Sequence, residues 1–150
     1  MRTQGSNVHV RVDVTGYVVD PGALHTITPT RIANTSGSNQ TGSIAGNLQK
    51  DGIYNIGVPF ELVPAGATAV VVNVVAVKPG GGGHLVVYGD IDGTALTPPP
   101  ATSTINFIDG RNIASGAIVE LPADRLINVA VSGASTGFIL DIVGYLMPIE

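Results

Sequence analysis

The sequence predicts an all-β fold, and three observations carry that prediction. No window of about ten residues spaces its apolar side chains at the three- and four-residue intervals of an amphipathic helix. β-branched runs and period-two alternation are frequent instead. The 20 Gly and 10 Pro residues supply turns between short strands. We expect an antiparallel β-sandwich of the jelly-roll type, with a β-barrel as the alternative, because several short strands can build either.

The first predicted strand covers residues 8–14. Val8, Val10 and Val12 alternate with polar side chains, which gives this strand one apolar face and one polar face. We interpret residues 1–150 as a single domain. Residues 1–20 would be an extra N-terminal strand or arm that can pair with a neighbouring subunit.

Later strands are predicted from runs of β-branched residues between turn residues. The Gly-rich connections 78–84 and 132–136 predict two hairpins. The polar segment 34–52 is long for a loop, so it is either a functional surface loop or an extended stretch lying on the sheet. The predicted strands after the first are Ile53–Phe60, Ala69–Val77, Leu85–Tyr88, Thr104–Ile108, Ala117–Leu121, Leu126–Val131 and Gly137–Val143.

Composition limits the possible partners. The net charge of -4 and the absence of a Lys/Arg cluster argue against nucleic-acid binding. The longest apolar stretch, residues 65–77, contains Gly66, Thr68 and Asn73 and is too short to insert across a membrane. With no cysteine, the chain has no disulfide framework and no thiolate metal site. Its first twenty residues do not resemble a secretory signal.

One short sequence, Asp-x-x-Gly-Tyr, occurs at residues 13–17 and again at residues 141–145. A strand needs neighbours on its hydrogen-bonding edges, so the same strand at both ends suits a protein that stacks on copies of itself or belongs to a repeating array. Two recurring acids could form a glycosidase pair, but such a pair needs two different environments. We therefore expect each Asp to accept structural hydrogen bonds from a neighbouring loop. The motif residues expected to have an assembly or structural role are Asp13, Gly16, Tyr17, Asp141, Gly144 and Tyr145.

Candidate catalytic and metal-binding residues are few. Ser135 lies in a Gly-x-Ser-x-Gly string, but no helix is predicted after it, so a Ser/Gly turn between strands is favoured over a hydrolase elbow. Asp90 and Asp92 open a sequence that resembles a calcium loop without its closing Glu, which makes them weak metal candidates beside the reading of a β-turn. We expect no enzyme activity and no cofactor. Arg31 is expected to form a structural ion pair with an Asp.

A set of short sequences in a fixed order resembles a known family. The chain is similar to the "VDVTGY" β-rich repeat module of secreted and wall-associated actinobacterial proteins. This resemblance implies an extracellular, non-catalytic module without an established ligand. The family's usual Asp-Thr-Arg after the Arg-Ile pair is replaced by Ala33-Asn34-Thr35-Ser36, which removes both charges. The matching pieces are residues 12–17, 21–23, 27–32, 58–59, 63–64, 67–74, 103–106 and 141–145.

These observations predict a structural or attachment module in an extracellular assembly. A chain with this sequence, an initiator Met and no recognisable signal fits a phage virion component, such as a decoration, fibre or tail protein. A bacterial surface protein fits as well. We expect a homo-oligomer, with a trimer favoured, or docking onto a larger assembly. The alternative is a carbohydrate-binding module that uses tyrosines to bind a surface glycan; the candidates are Tyr17, Tyr54, Tyr88 and Tyr145.

Overall fold

The computed structural model describes residues 23–89 and 98–148. These residues form β-strands and no helix, so no helix among them could cross a bilayer. The strands are β1 (Leu24–Asn34), β2 (Ile53–Gly57), β3 (Ala69–Val77), β4 (Gly83–Gly89), β5 (Ile105–Phe107), β6 (Ile113–Glu120), β7 (Leu126–Gly133) and β8 (Gly137–Leu146).

The strands form two antiparallel sheets of four strands each, which confirms the β-sandwich and not the barrel alternative. Sheet 1 has the order β1-β8-β3-β6, and sheet 2 has the order β2-β7-β4-β5. The core lies between the sheets. Its largest fully buried side chain is Phe138 on β8, which lies on the same face as Leu140 and Ile142.

β3 shows how the sequence builds this core. Val70, Val72 and Val74 are at most 1% exposed, whereas Val71 and Val75 on the other face are half-buried. The alternation follows from the pleat, which turns successive side chains to opposite faces. Burying each Val contributes about 1.5 kcal/mol or more relative to leaving it in water. The predicted bounds of β3 are those of the structure.

Both predicted hairpins are wrong. β3 lies in sheet 1 and β4 in sheet 2, and β7 and β8 are divided between the sheets in the same way. Each Gly-rich connection is therefore a crossover that links one sheet to the other. The two crossovers lie side by side, since Gly80 N donates to Ser135 O (3.0 Å) and Ala134 N donates to Gly82 O (3.1 Å). A Gly-rich link between two Val-rich strands fits a hairpin within one sheet and a crossover between two sheets equally well. The local sequence therefore does not distinguish the hairpin from the crossover.

β1 is a strand that the sequence analysis did not predict. It carries Pro29 and several polar residues, which weaken a strand signal, but an edge strand tolerates a proline. β1 pairs antiparallel with β8, and its register shifts between Thr26 and Thr30 and again between Arg31 and Ala33.

The segment after β1 is mostly exposed and irregular, and isolated β-bridges hold it at two points. Asn34 bridges to Thr41, and Leu48 exchanges backbone hydrogen bonds with Thr136 at 2.9 and 3.0 Å. Leu48 is fully buried, because its side chain belongs to the core between the sheets. The loop therefore helps to close one end of the sandwich.

Candidate functional site: the joint between β1 and β8

The C-terminal Asp-x-x-Gly-Tyr sequence lies on β8, where β8 pairs with β1. Arg31 on β1 lies directly opposite Asp141. Its Nε donates to Oδ1 at 2.8 Å and its Nη2 donates to Oδ2 at 3.2 Å, so the guanidinium and the carboxylate form a two-pronged pair. This confirms the predicted ion pair of Arg31 with an Asp. The donor to Asp141 lies on a neighbouring strand, whereas a loop was expected.

The ion pair is a guide to register more than a source of stability. The side chain of Arg31 is 46% exposed and that of Asp141 is 15% exposed, so solvent screens their attraction and the pair contributes about 0.2–1 kcal/mol. The hydrogen bonds to Asp141 raise the pKa of Arg31 above its ordinary value. The Arg31 guanidinium is therefore charged throughout the neutral range. The stability that the ion pair contributes through Arg31 is complete below the ordinary pKa of arginine and is lost only above it.

A β-bulge separates the Asp from the Tyr. Against β3, Ile142 lies opposite Val72 and Gly144 lies opposite Val71, so Val143 has no partner in this ladder. In a regular strand, residues 141 and 145 would share a face, because side chains repeat every two residues. The extra residue instead turns Tyr145 to the core side of the sheet and leaves Asp141 on the outer side.

Gly144 fits a close approach between the two strands. A Cβ atom at this position would lie 2.8 Å from the carbonyl oxygen of His25 on β1. His25 also lies opposite Tyr145, and their rings stack with centroids 5.0 Å apart and planes 13° from parallel. Thus the Asp, the Gly and the Tyr each contact or make room for β1. In β8, the sequence Asp-x-x-Gly-Tyr therefore lies on a bulged strand docked beside β1.

The nucleophile candidate Ser135 lies in the crossover between β7 and β8, and a strand follows it, as the sequence predicted for a serine without an elbow helix. The predicted hairpin around it is replaced by the crossover. Its backbone carbonyl accepts the Gly80 hydrogen bond given above. Among residues 23–89 and 98–148, no group of three or more His, Cys, Asp or Glu side chains is placed to hold a metal ion.

The described tyrosines do not form a flat exposed platform for a sugar. Tyr88 is only 7% exposed, and Tyr54 and Tyr145 are half-buried. The Tyr54 hydroxyl accepts a hydrogen bond from the backbone N–H of Gln49 at 2.8 Å. A shallow groove of about 480 Å³ opens beside Arg31, but its lining contains Glu61 and no aromatic side chain.

Arg125 is an organising residue that the sequence analysis missed. It is 8% exposed and has a positive φ of 62°. Its guanidinium donates to four backbone carbonyls of residues 58–64, the shortest bond being 2.7 Å to Val63 O. The ring of Phe60 lies over the guanidinium carbon at 4.1 Å. The acceptors are backbone atoms, so no side-chain pattern in the sequence marks this site.

Part of the predicted set lies outside the described residues. This holds for the weak metal candidates, for the predicted first strand and for the first copy of Asp-x-x-Gly-Tyr. The residues concerned are Val8, Val10, Val12, Asp13, Gly16, Tyr17, Asp90 and Asp92.

The chain was also compared with known proteins. Scans against protein-family models and against curated proteins found no match.

Proposed function

We propose that this protein is a structural or attachment module that joins to neighbouring proteins by strand docking. The observation that carries the proposal is the joint between β1 and β8. There the Asp, Gly and Tyr of one motif serve strand pairing: Asp141 binds Arg31, Gly144 makes room for the His25 carbonyl and Tyr145 stacks on His25.

The first copy of the motif shares its Asp, Gly and Tyr with the strand that makes this joint. Aligning residues 8–17 with residues 136–145 places an identical Asp, Gly and Tyr in each. The positions that β8 turns to the core as Phe138, Leu140 and Ile142 are all Val in the first copy, so an apolar face is kept. We infer that this segment docks beside a β1-like strand of another copy of the chain or of a similar domain.

The setting we propose is an extracellular assembly, either a phage particle or a bacterial surface. Two features support it: a charged fraction of only 12%, and the resemblance to secreted surface modules. A sandwich built from paired strands gives such an assembly a rigid unit with several edges for contact. Mass spectrometry of purified particles and of cell-wall fractions would separate the two settings.

The strand-docking proposal is tested by removing the joint residues from the first copy of the motif. The variant carries Asp13→Ala and Tyr17→Ala, and the mass in solution is measured by sedimentation across a concentration series. We expect the variant to be smaller than the unaltered chain at the same concentration, because the docking contacts are lost. His9→Ala in the same segment is the matched control and should keep the original mass.

An unaltered chain whose mass equals one copy at every concentration, alone and with a similar domain, would contradict the proposal. So would a double variant that assembles as well as the control. Glycan-array binding that depends on Tyr54 or Tyr145 would favour the carbohydrate-binding alternative instead.

A further inference from the structure

The sandwich has four edge strands among the described residues. Two of them are short, and β1 is irregular, so it suits a bulged strand such as the Asp-x-x-Gly-Tyr segment more than a regular one. β1 carries Pro29 and two register irregularities. β2 has five residues and β5 has three. Prolines, irregular register and short length are devices by which natural sheets keep their edges from pairing with other chains.

The fourth edge strand, β6, has none of these devices. Its eight residues pair with β3 without interruption, from Ala69 opposite Glu120 to Ala76 opposite Ile113. The strand contains no Pro and no Lys, and its only charge is Glu120 at one end. Among the described residues, no strand pairs with the outer side of β6, so this regular and nearly uncharged edge has a row of backbone groups that can receive another strand.

Exposed apolar side chains lie on the same side of the sandwich. Ile118, which points outward from β6, is 63% exposed, and Ile108, just after β5, is 53% exposed. β5 is the edge of sheet 2 that lies over β6. These are two of the four exposed large hydrophobic residues of the described chain. Burying them would add an apolar contribution to the backbone hydrogen bonds of a new ladder.

We propose that β6 pairs antiparallel with β6 of a second copy of this chain, so that two copies of sheet 1 form one continuous sheet. A two-fold axis at Gly116 would place Ile118 beside Ala114 of the second copy. It would also place Ile113 beside Val119, which continues the core face of the sheet. This interface adds to the strand docking proposed above and does not require residues 8–17.

The charge and size of the β6 side chains fit a second copy in this orientation. Antiparallel pairing puts the two Glu120 carboxylates at opposite ends of the ladder, whereas parallel pairing would set like charges side by side. The centre of the ladder consists of Ser115, Gly116 and Ala117, which are small enough for two strands to approach without a clash. A two-fold contact of this kind is closed and yields a dimer of defined size.

The first test is the substitution Ile118→Lys in the full-length chain, with mass measured by sedimentation. A Lys on an edge strand opposes pairing, so we expect the dimer dissociation constant to rise about tenfold or more. Ala65→Lys is the control: Ala65 is an exposed apolar residue in the turn between β2 and β3, away from both β6 and the joint between β1 and β8. The control should leave the dissociation constant unchanged.

The second test is a disulfide at the proposed axis. The chain has no cysteine, so Gly116→Cys can cross-link only to a second copy. A Cβ at this position meets nothing closer than Val72 O at 3.8 Å, so the substitution fits the fold. Paired antiparallel residues lie about 4.5–5.5 Å apart, within the roughly 4.4–6.8 Å that a disulfide spans. We expect a cross-linked dimer under mild oxidation.

Gly57→Cys provides the control for the cross-link. Gly57 ends the edge strand β2, and nothing lies within 4 Å of a Cβ built there. It should cross-link much more slowly than Gly116→Cys. Equal rates for the two variants, or no cross-link at residue 116, would overturn the proposed pairing. If circular dichroism shows that the Ile118→Lys variant does not fold, the cross-linking of Gly116→Cys alone decides whether β6 pairs with β6 of a second copy.

The results also separate this interface from the strand docking of residues 8–17. An assembly that persists in Ile118→Lys and is lost in the Asp13/Tyr17 variant would overturn the β6 pairing and leave the proposed function in place. An assembly that is lost in Ile118→Lys and persists in the Asp13/Tyr17 variant would support the β6 pairing and contradict the docking role of the first motif copy.

Discussion

At the scale of single residues, two arginines, Arg31 and Arg125, hold backbone segments of the sandwich in place. Arg31 fixes the register of β1 on β8 through Asp141. Arg125 holds a loop by its carbonyls and has no carboxylate among its hydrogen-bond partners. The two arginines differ in burial, and therefore in what their loss would cost. A half-exposed pair contributes little, whereas carbonyls left without donors inside the protein are costly.

Replacing Arg125 with Met should lower the free energy of unfolding by about 2–4 kcal/mol, because four backbone carbonyls lose their donor. Chemical denaturation would measure the difference in free energy of unfolding, provided that both proteins show the same dependence of that free energy on denaturant concentration. Arg111→Met, at an exposed position of the loop before β6, is the control and should stay within about 0.5 kcal/mol of the unaltered chain. Equal stabilities of the two variants would show that the carbonyl contacts are not needed.

At the scale of elements, β8 is the strand on which the joint depends. It lies between β1 and β3 in sheet 1, and its register shifts against both neighbours next to Val143. The bulge lets an Asp and a Tyr four positions apart face opposite sides of the sheet. The strand and a structural role for its Asp are predictable from the sequence. The bulge is not, because period-two alternation of apolar residues assumes an unbroken ladder.

Gly144→Ala tests the close approach between β8 and β1. The added Cβ would lie 2.8 Å from His25 O, so one of the two strands must move, and we expect a loss of stability of about 1–3 kcal/mol. Gly57→Ala is the control, since nothing lies within 4 Å of its Cβ. Thermal unfolding of both variants would measure the effect. A Gly144 variant as stable as the control would show that β1 can shift without cost.

At the scale of the whole molecule, the fold is held together by contacts between residues far apart in sequence. β1 pairs with β8, the first described strand with the last, and both crossovers connect the two sheets. Such pairing must close long loops before it gains hydrogen bonds. The same topology places β6 at an edge of sheet 1 among the described strands.

This topology predicts slow folding. Sandwiches dominated by non-local pairing fold in about milliseconds to seconds, so refolding from denaturant should be resolved by stopped-flow fluorescence of the tyrosines or by circular dichroism. The unfolding arm of the same experiment gives the stability independently. Complete refolding within microseconds would contradict a transition state that contains the β1–β8 pairing.

The sequence by itself determined the all-β class, the bounds of β3 and the Arg31 ion pair. These follow from local alternation and from the small number of charges available for pairing. Only the tertiary structure decided that the Gly-rich connections cross between sheets, that β1 pairs with β8 and that Arg125 binds backbone carbonyls. It also decided that β6 is an edge strand among the described residues. These features depend on which strands become neighbours, and a strand of given alternation can pair equally well with several partners.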